Sequence, residues 1–289
     1  MWFKKKQQTE LKVNKKVRLG LALGGGGVRG VGHIGVLKAF SELGIDVDYV
    51  CGTSAGAIVG ALYSSGLTWY DIEKTAKSLK KGDIKKKNMF FMPTSTEKLE
   101  ETMLSIFGKD VLVSELKKPF CAVSVNLKDG SEVVIDNGSV AKAVCASSAV
   151  PGVFKPVVYR DMHLVDGGLA NNVPADVARK MGANVVIAID VNKNRGQGTE
   201  SLKVMNVLSS TLGVIMQKNI ETKLQFADLV ITPDLSDFSS SKLGDVSKMI
   251  ERGYDAVMEN KEAIFNLLNK KPKRKKIIWL INSKRKEKF

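Results

Sequence analysis

Residues 21–37 read LALGGGGVRGVGHIGVL. An apolar, strand-like run enters a dense glycine turn and leaves as a helix, and few architectures accommodate that passage. Glycine is favoured where backbone must crowd together or adopt positive φ. A strand that passes straight into a helix also aims free amides at one spot, where negative charge can be held. The middle of the chain repeats this alternation. Strand-like segments at 17–23, 47–51, 119–127, 131–136, 184–191 and 227–233 are interleaved with helical ones at 30–43, 55–65, 95–107, 139–147, 202–224 and 244–268. That is the pattern of an α/β domain with a mostly parallel sheet. Thr94, Ser95 and Ser139 stand where helix caps are expected.

The second strand-like run, VDYVC, leads into GTSAG at 52–56. Gly-x-Ser-x-Gly at a strand-to-helix junction can turn a serine into a nucleophile, with Gly52 and Gly56 giving room to a sharp backbone turn. Ser54 then stands at a helix N-terminus, where the dipole and free amides favour an alkoxide or oxyanion. The serine needs a base, and the chain has two histidines, His33 and His163. An α/β-hydrolase places its histidine after the acid. Here both histidines precede Asp166 and none follows position 163, so that triad is excluded by inventory.

A carboxylate acting directly on the serine remains. The stretch HLVDGGLANNVP at 163–174 offers Asp166, which follows a short apolar run and precedes Gly167 and Gly168, a turn able to project it toward Ser54. Burial would be needed to raise its pKa into a working range. A competing reading comes from the glycine run itself, because Gly25-x-Gly27-x-x-Gly30 also meets the dinucleotide fingerprint, with Asp46 or Asp48 about 20 residues on. That reading leaves Gly-x-Ser-x-Gly and Asp-Gly-Gly unexplained. An acyl-transfer site accounts for all three as oxyanion hole, nucleophile and base.

GGGVRG at 25–30, GTSAG at 52–56, ASSAVPGVFKP at 146–156 and DGG at 166–168 together resemble the patatin-like phospholipase family in order and approximate spacing, over about residues 17–235. The resemblance implies a three-layer α/β/α fold and a Ser-Asp dyad without histidine, with no metal or cofactor needed. It makes Ser54 the nucleophile and Asp166 the general base. Gly25, Gly26, Gly27 and Val28 supply the oxyanion hole, Arg29 supports it electrostatically, and Gly30 belongs to the same oxyanion-hole set. The ASSAVPGVFKP block and Pro174 fit the family pattern as shaping elements without chemistry of their own. His33 reads as a packed helix residue and His163 as a strand-end residue. The implied activity is hydrolysis of lipid or phospholipid esters through an acyl-enzyme. An acceptor alcohol in place of water would make the same site an acyltransferase, and a catalytically silent lipid-binding module is a further alternative.

The net charge of +15 resides in the ends, with +6 in residues 1–18 and +9 in residues 270–289, leaving the span between them neutral. The expected organisation is therefore a basic tail at 1–16, a catalytic domain at 17–269 and a basic tail at 270–289. Lysine mixed with tryptophan and aliphatic residues in these ends suits an anionic membrane surface. The segment 80–93, which carries KKGDIKKK followed by NMFFMP, reads as a loop or lid of similar chemistry. A neutral middle gives nucleic-acid binding little support. No apolar stretch follows the N-terminal lysines as in a signal peptide, no run is long enough to span a bilayer, and Cys51, Cys121 and Cys145 show neither disulfide nor metal spacing. The expectation is a cytoplasmic protein with peripheral contact to the inner face of the membrane.

Overall fold

The computed structural model describes residues 17–81, 95–192, 204–240 and 244–269. The basic ends, Thr94 and the expected lid beyond Lys81 lie outside the described residues. The first half of the chain runs β1 (Leu19–Leu23), α1 (Gly32–Glu42), β2 (Tyr49–Thr53), α2 (Ala55–Ser64), α3 (Trp69–Lys81), α4 (Glu97–Phe107), β3 (Phe120–Asn126) and β4 (Glu132–Ile135). It continues through α5 (Val140–Ser147), β5 (Val157–Tyr159), β6 (Met162–Asp166), α6 (Ala175–Met181), β7 (Val185–Ile189), α7 (Val204–Leu224), β8 (Leu229–Ile231), α8 (Val246–Glu259) and α9 (Lys261–Asn269). Among the described residues no helix is long and apolar enough to cross a membrane.

The strands form one mixed, mostly parallel sheet. Hydrogen bonds link them in the order β5-β6-β3-β2-β1-β7-β8, with β4 also paired to β3. Neighbours among β1, β2, β3, β7 and β8 run parallel, whereas β4 and β6 run antiparallel to β3, and β5 antiparallel to β6. Strand side chains alternate between faces, and here the two faces differ in bulk. Leu19, Leu21, Leu23, Val50, Ile187 and Ile189 fill one cluster together with residues of α1, α2, α5 and α8. Ala22, Cys51, Cys121, Val123 and Ala188 join residues of α6 and Ile220 of α7 on the other. Helices therefore cover both faces, giving the expected three layers. The small-residue face lets α6 sit close: a Cβ on Gly20 would lie 3.1 Å from that of Ala178.

The registers define one feature that governs the site. Ala122 and Val123 of β3 pair with both β2 and β4, and Ser124 and Val125 pair with both β4 and β6. A strand has two edges, so β4 occupies one and β2 and β6 share the other. They run toward each other along it. β2 ends with Thr53 opposite Val123, and β6 ends with Asp166 opposite Ser124.

Candidate active site

Where β2 ends, the chain turns sharply. Ser54 has φ 54° and ψ −122°, a positive φ that a non-glycine residue adopts at a cost of roughly 1–3 kcal/mol. The turn is held by close backbone approaches that only glycine permits. A Cβ on Gly52 would lie 2.4 Å from the Gly56 carbonyl oxygen, and one on Gly56 would lie 2.1 Å from that of Leu23. Ser54 immediately precedes α2, and the Ala57 amide donates back to its carbonyl (2.8 Å). Its own amide donates to Ser147 Oγ (2.9 Å).

Asp166 ends β6 from the opposite direction and is buried, as is Ser54. Burial raises the Asp166 pKa from an ordinary 3.8 to about 6, against the opposing pull of hydrogen bonds from the Ser54 side chain and the Gly168 amide. The Gly168 amide lies 2.8 Å from Asp166 Oδ1. Gly167 and Gly168 thus serve as a turn whose backbone presses on β3 and whose amide orients the carboxylate. A Cβ on Gly167 would lie 2.2 Å from the Val123 carbonyl oxygen.

The glycine loop abuts this pair. A Cβ on Gly25 would stand 3.1 Å from that of Ser54, and one on Gly30 would stand 2.4 Å from that of Ala55. The amides of the loop differ in their commitments. Gly25 donates to the Asn172 carbonyl (3.0 Å), Val28 to the Ser240 carbonyl (2.9 Å) and Arg29 to the Gly26 carbonyl (3.2 Å). Gly26 and Gly27 make no amide hydrogen bond to the described residues, and Gly27 has φ 57°. Arg29 is buried, and its Nε donates to the Phe238 carbonyl (2.7 Å), fastening the loop to the segment after β8. Beneath the loop, His33 Nε2 donates to the Gly24 carbonyl (2.7 Å). Burial holds its pKa down at about 4, so it is neutral near pH 7.

His163 lies on β6, opposite Val158. The acidic residues of the dinucleotide reading lie at the wrong end of β2. Asp46 and Asp48 precede that strand, whereas Ser54 follows it. Asp48 accepts from the Leu19 amide (2.6 Å) and Asp46 pairs with Lys118 (2.6 Å). Among the described residues no group of three or more His, Cys, Asp or Glu is placed to hold a metal ion.

Several side chains that secure the site had not been singled out in the sequence. Thr53 Oγ1 donates to the Asn171 carbonyl (2.8 Å), tying the serine turn to the aspartate turn. Asn172 Nδ2 (3.2 Å) and Asn192 Nδ2 both donate to the Gly25 carbonyl. Asn171 and Asn172 fall within the quoted Asp-Gly-Gly stretch and Ser147 within ASSAVPGVFKP, but Asn192 carries no local signal. Their parts follow from the fold alone.

A helix-covered, mostly parallel sheet with a serine at a strained strand-to-helix turn, facing a buried aspartate, defines an α/β protein with a serine elbow. Residues 21–179 match the family described as Patatin-like phospholipase, and the chain belongs to that family. It is 30% identical over 275 residues to mouse patatin-like phospholipase domain-containing protein 7, covering 82% of this chain and 20% of that protein. It is 37% identical over 182 residues to the Drosophila melanogaster protein named neuropathy target esterase sws, covering 60% of this chain and 13% of that protein. The chain thus spans a fifth or less of the length of these relatives. In fold it is similar to VipD from Legionella pneumophila, with a TM-score of 0.53 and 14% identity over 86% of this chain and 67% of that one.

Proposed function

We propose that the chain is a lipid acyl hydrolase that works through a Ser54–Asp166 dyad. The observation that carries this reading is the meeting of Ser54, strained at φ 54°, with a buried carboxyl group whose pKa is about 6. Ionised above that value, Asp166 accepts the Ser54 hydroxyl proton as Oγ attacks the ester carbonyl. The Gly26 and Gly27 amides, which have no partner among the described residues, are the donors best suited to the tetrahedral oxyanion, with α2 adding the positive end of its dipole. Gly25 and Val28 build the loop instead, since their amides are already engaged. Arg29 contributes positive charge behind the loop while anchoring it to Phe238.

Collapse of the intermediate expels the alcohol, which takes the proton from Asp166. Water then attacks the acyl-enzyme, Asp166 receives its proton, and that proton returns to Ser54 as the fatty acid leaves. The lysine-rich ends and residues 80–93 serve to bring this chemistry to an anionic lipid surface, a role supported by the charge distribution of the chain.

Fluorophosphonate labelling followed by peptide mapping tests reaction class and nucleophile together. The expected result is a single adduct on Ser54, lost in Ser54→Ala together with hydrolysis of a short-chain nitrophenyl ester. Hydrolysis retained above about a tenth of wild type in Ser54→Ala sinks the assignment.

A further inference from the structure

The ASSAVPGVFKP block is the one sequence motif that the chemistry above leaves without a task. The geometry points to Ser147 as a positioning residue: its hydroxyl bridges the gap between β2 and β6 and, with Ala149, holds the nucleophile and the base in register. This inference rests on the dyad reading and deepens it.

The argument begins with the shared edge of β3. β2 stops opposite Val123 and β6 stops opposite Ser124, so the ladder is interrupted between them. An interrupted ladder leaves buried backbone groups that need other partners. The Val123 carbonyl is one, and it accepts the Ser147 hydroxyl (2.5 Å). The Ser54 amide, rotated out of the ladder by its positive φ, is the other, and it donates to Ser147 Oγ (2.9 Å). A serine hydroxyl has one proton and two lone pairs. With the proton committed to Val123, a lone pair faces Ser54. One side chain therefore satisfies both broken strand positions at once.

The same segment holds the base. The Asp166 amide donates to the Ala149 carbonyl (3.0 Å). Residues 147 and 149 thus grip Ser54 and Asp166 through their backbones, leaving both side chains free to face each other. Ser147 is the last residue of α5 and is fully buried, and that helix is capped at its start by Ser139 accepting from the Lys142 amide (3.3 Å). The bracket is consequently fixed to a rigid element and not to a loop.

Removing the hydroxyl leaves the Ser54 amide without an acceptor in a buried site and frees the strained turn to relax, drawing Oγ away from Asp166. The lost interaction acts on the reacting geometry and not on substrate affinity. In the full-length chain, Ser147→Ala is expected to lower kcat for a soluble nitrophenyl ester and the fluorophosphonate labelling rate by about 10- to 100-fold, with KM within about twofold of wild type. The acid limb of the pH profile should move to higher pH, because Oγ drawn away from Asp166 removes a hydrogen bond that holds the carboxyl pKa down. Ser147→Thr, which restores the hydroxyl, should recover most of the rate.

Wild-type kcat in Ser147→Ala, or a loss confined to KM, overturns the inference while leaving labelled Ser54 in the wild type as support for the dyad. If the alanine variant does not fold, Ser147→Cys decides. It keeps the volume with a weak acceptor and should fall between the alanine variant's expected loss and wild type, and full activity there overturns the bracket. A wild type that takes no label on Ser54 overturns the esterase reading and the inference with it.

Discussion

Asp166 and His33 are both buried, and burial acts on them with opposite consequences. Burial disfavours whichever form is charged, so it raises a carboxylic acid and lowers an imidazolium. Asp166 rises from 3.8 to about 6, and His33 falls from 6.5 to about 4. Between pH 4 and 6 the folded protein holds the Asp166 proton that the unfolded chain gives up. Asp166 therefore costs stability as pH rises through that window, by about 2–3 kcal/mol in full. His33 does the reverse. Its contribution is complete above 6.5 and is lost as pH falls toward 4, by about 3 kcal/mol. Across their common range the two nearly cancel. Asp166→Asn should therefore be more resistant to urea than wild type at pH 8, by about 1–2 kcal/mol, with the advantage gone at pH 4.5. The same variant should lose about 100- to 10,000-fold in kcat, since an amide cannot take the serine proton. Urea curves for variant and wild type that superimpose at pH 8 would contradict the burial cost. For wild type, kcat/KM on a soluble ester should drop on acidification with a midpoint near 6. A midpoint near 4 would mean that another group supplies the base. His33→Gln retains a donor for the Gly24 carbonyl and should leave kcat within about threefold of wild type.

At the scale of elements, α1 and α8 are joined backbone to backbone. A Cβ on Gly35 would lie 1.9 Å from the Ile250 carbonyl oxygen, and one on Gly253 would lie 1.9 Å from that of Gly32. Gly35→Ala or Gly253→Ala must push the helices apart and should cost about 1–3 kcal/mol or more in urea unfolding. Gly44→Asn, at φ 66° with nothing within 4 Å, should stay within about 1 kcal/mol of wild type. Equal losses at the crossing and at Gly44 would argue against the tight contact. Element by element, legibility in the sequence followed the strength of the local signal. β1, β3 and β7 are fully buried apolar runs and stand out, and the Ser139 cap of α5 was foreseen. The β5–β6 hairpin is hidden because it is short, leaves Val158 exposed, and turns at Arg160, a non-glycine residue with φ 53°. α3 is hidden because its polar sequence masks a helix in which, among the described side chains, Ile72 is the one deeply buried residue. The expected helix at 244–268 is two, α8 and α9, broken at Asn260 without a proline or glycine to announce it. Of the proposed site, Ser54 and Asp166 are legible from motif and inventory. The commitment of the Gly25 and Val28 amides, and the place of Ser147, depend on which strands share an edge, and no local pattern encodes that.

At the scale of the whole molecule, charge and proposed chemistry are segregated, because the excess of +15 falls in the ends and the proposed dyad falls in the neutral span between them. Removing residues 1–16 and 271–289 should weaken binding to anionic vesicles at low salt, with the deficit shrinking as salt screens the intact chain. Hydrolysis of a soluble ester should change by less than about threefold. Unchanged vesicle binding at low salt would remove the ends from any membrane role. The head-on approach of β2 and β6 also has a consequence for how the molecule matures. Contacts between distant stretches of chain form slowly, because the loop between them must first be closed. Ser124 and Asp166 are 42 residues apart, whereas Val50 and Phe120 are 70 apart and Leu19 and Val185 are 166 apart, so the hairpin can dock on β3 before β2 takes the other half of that edge and brings Ser54 to Asp166. After dilution from urea, ester hydrolysis should therefore return later than helical circular dichroism, and simultaneous recovery would mean that hairpin and core assemble together. During that interval the base would stand on β3 without its serine, keeping the newly made chain inert toward lipid until β2 has docked.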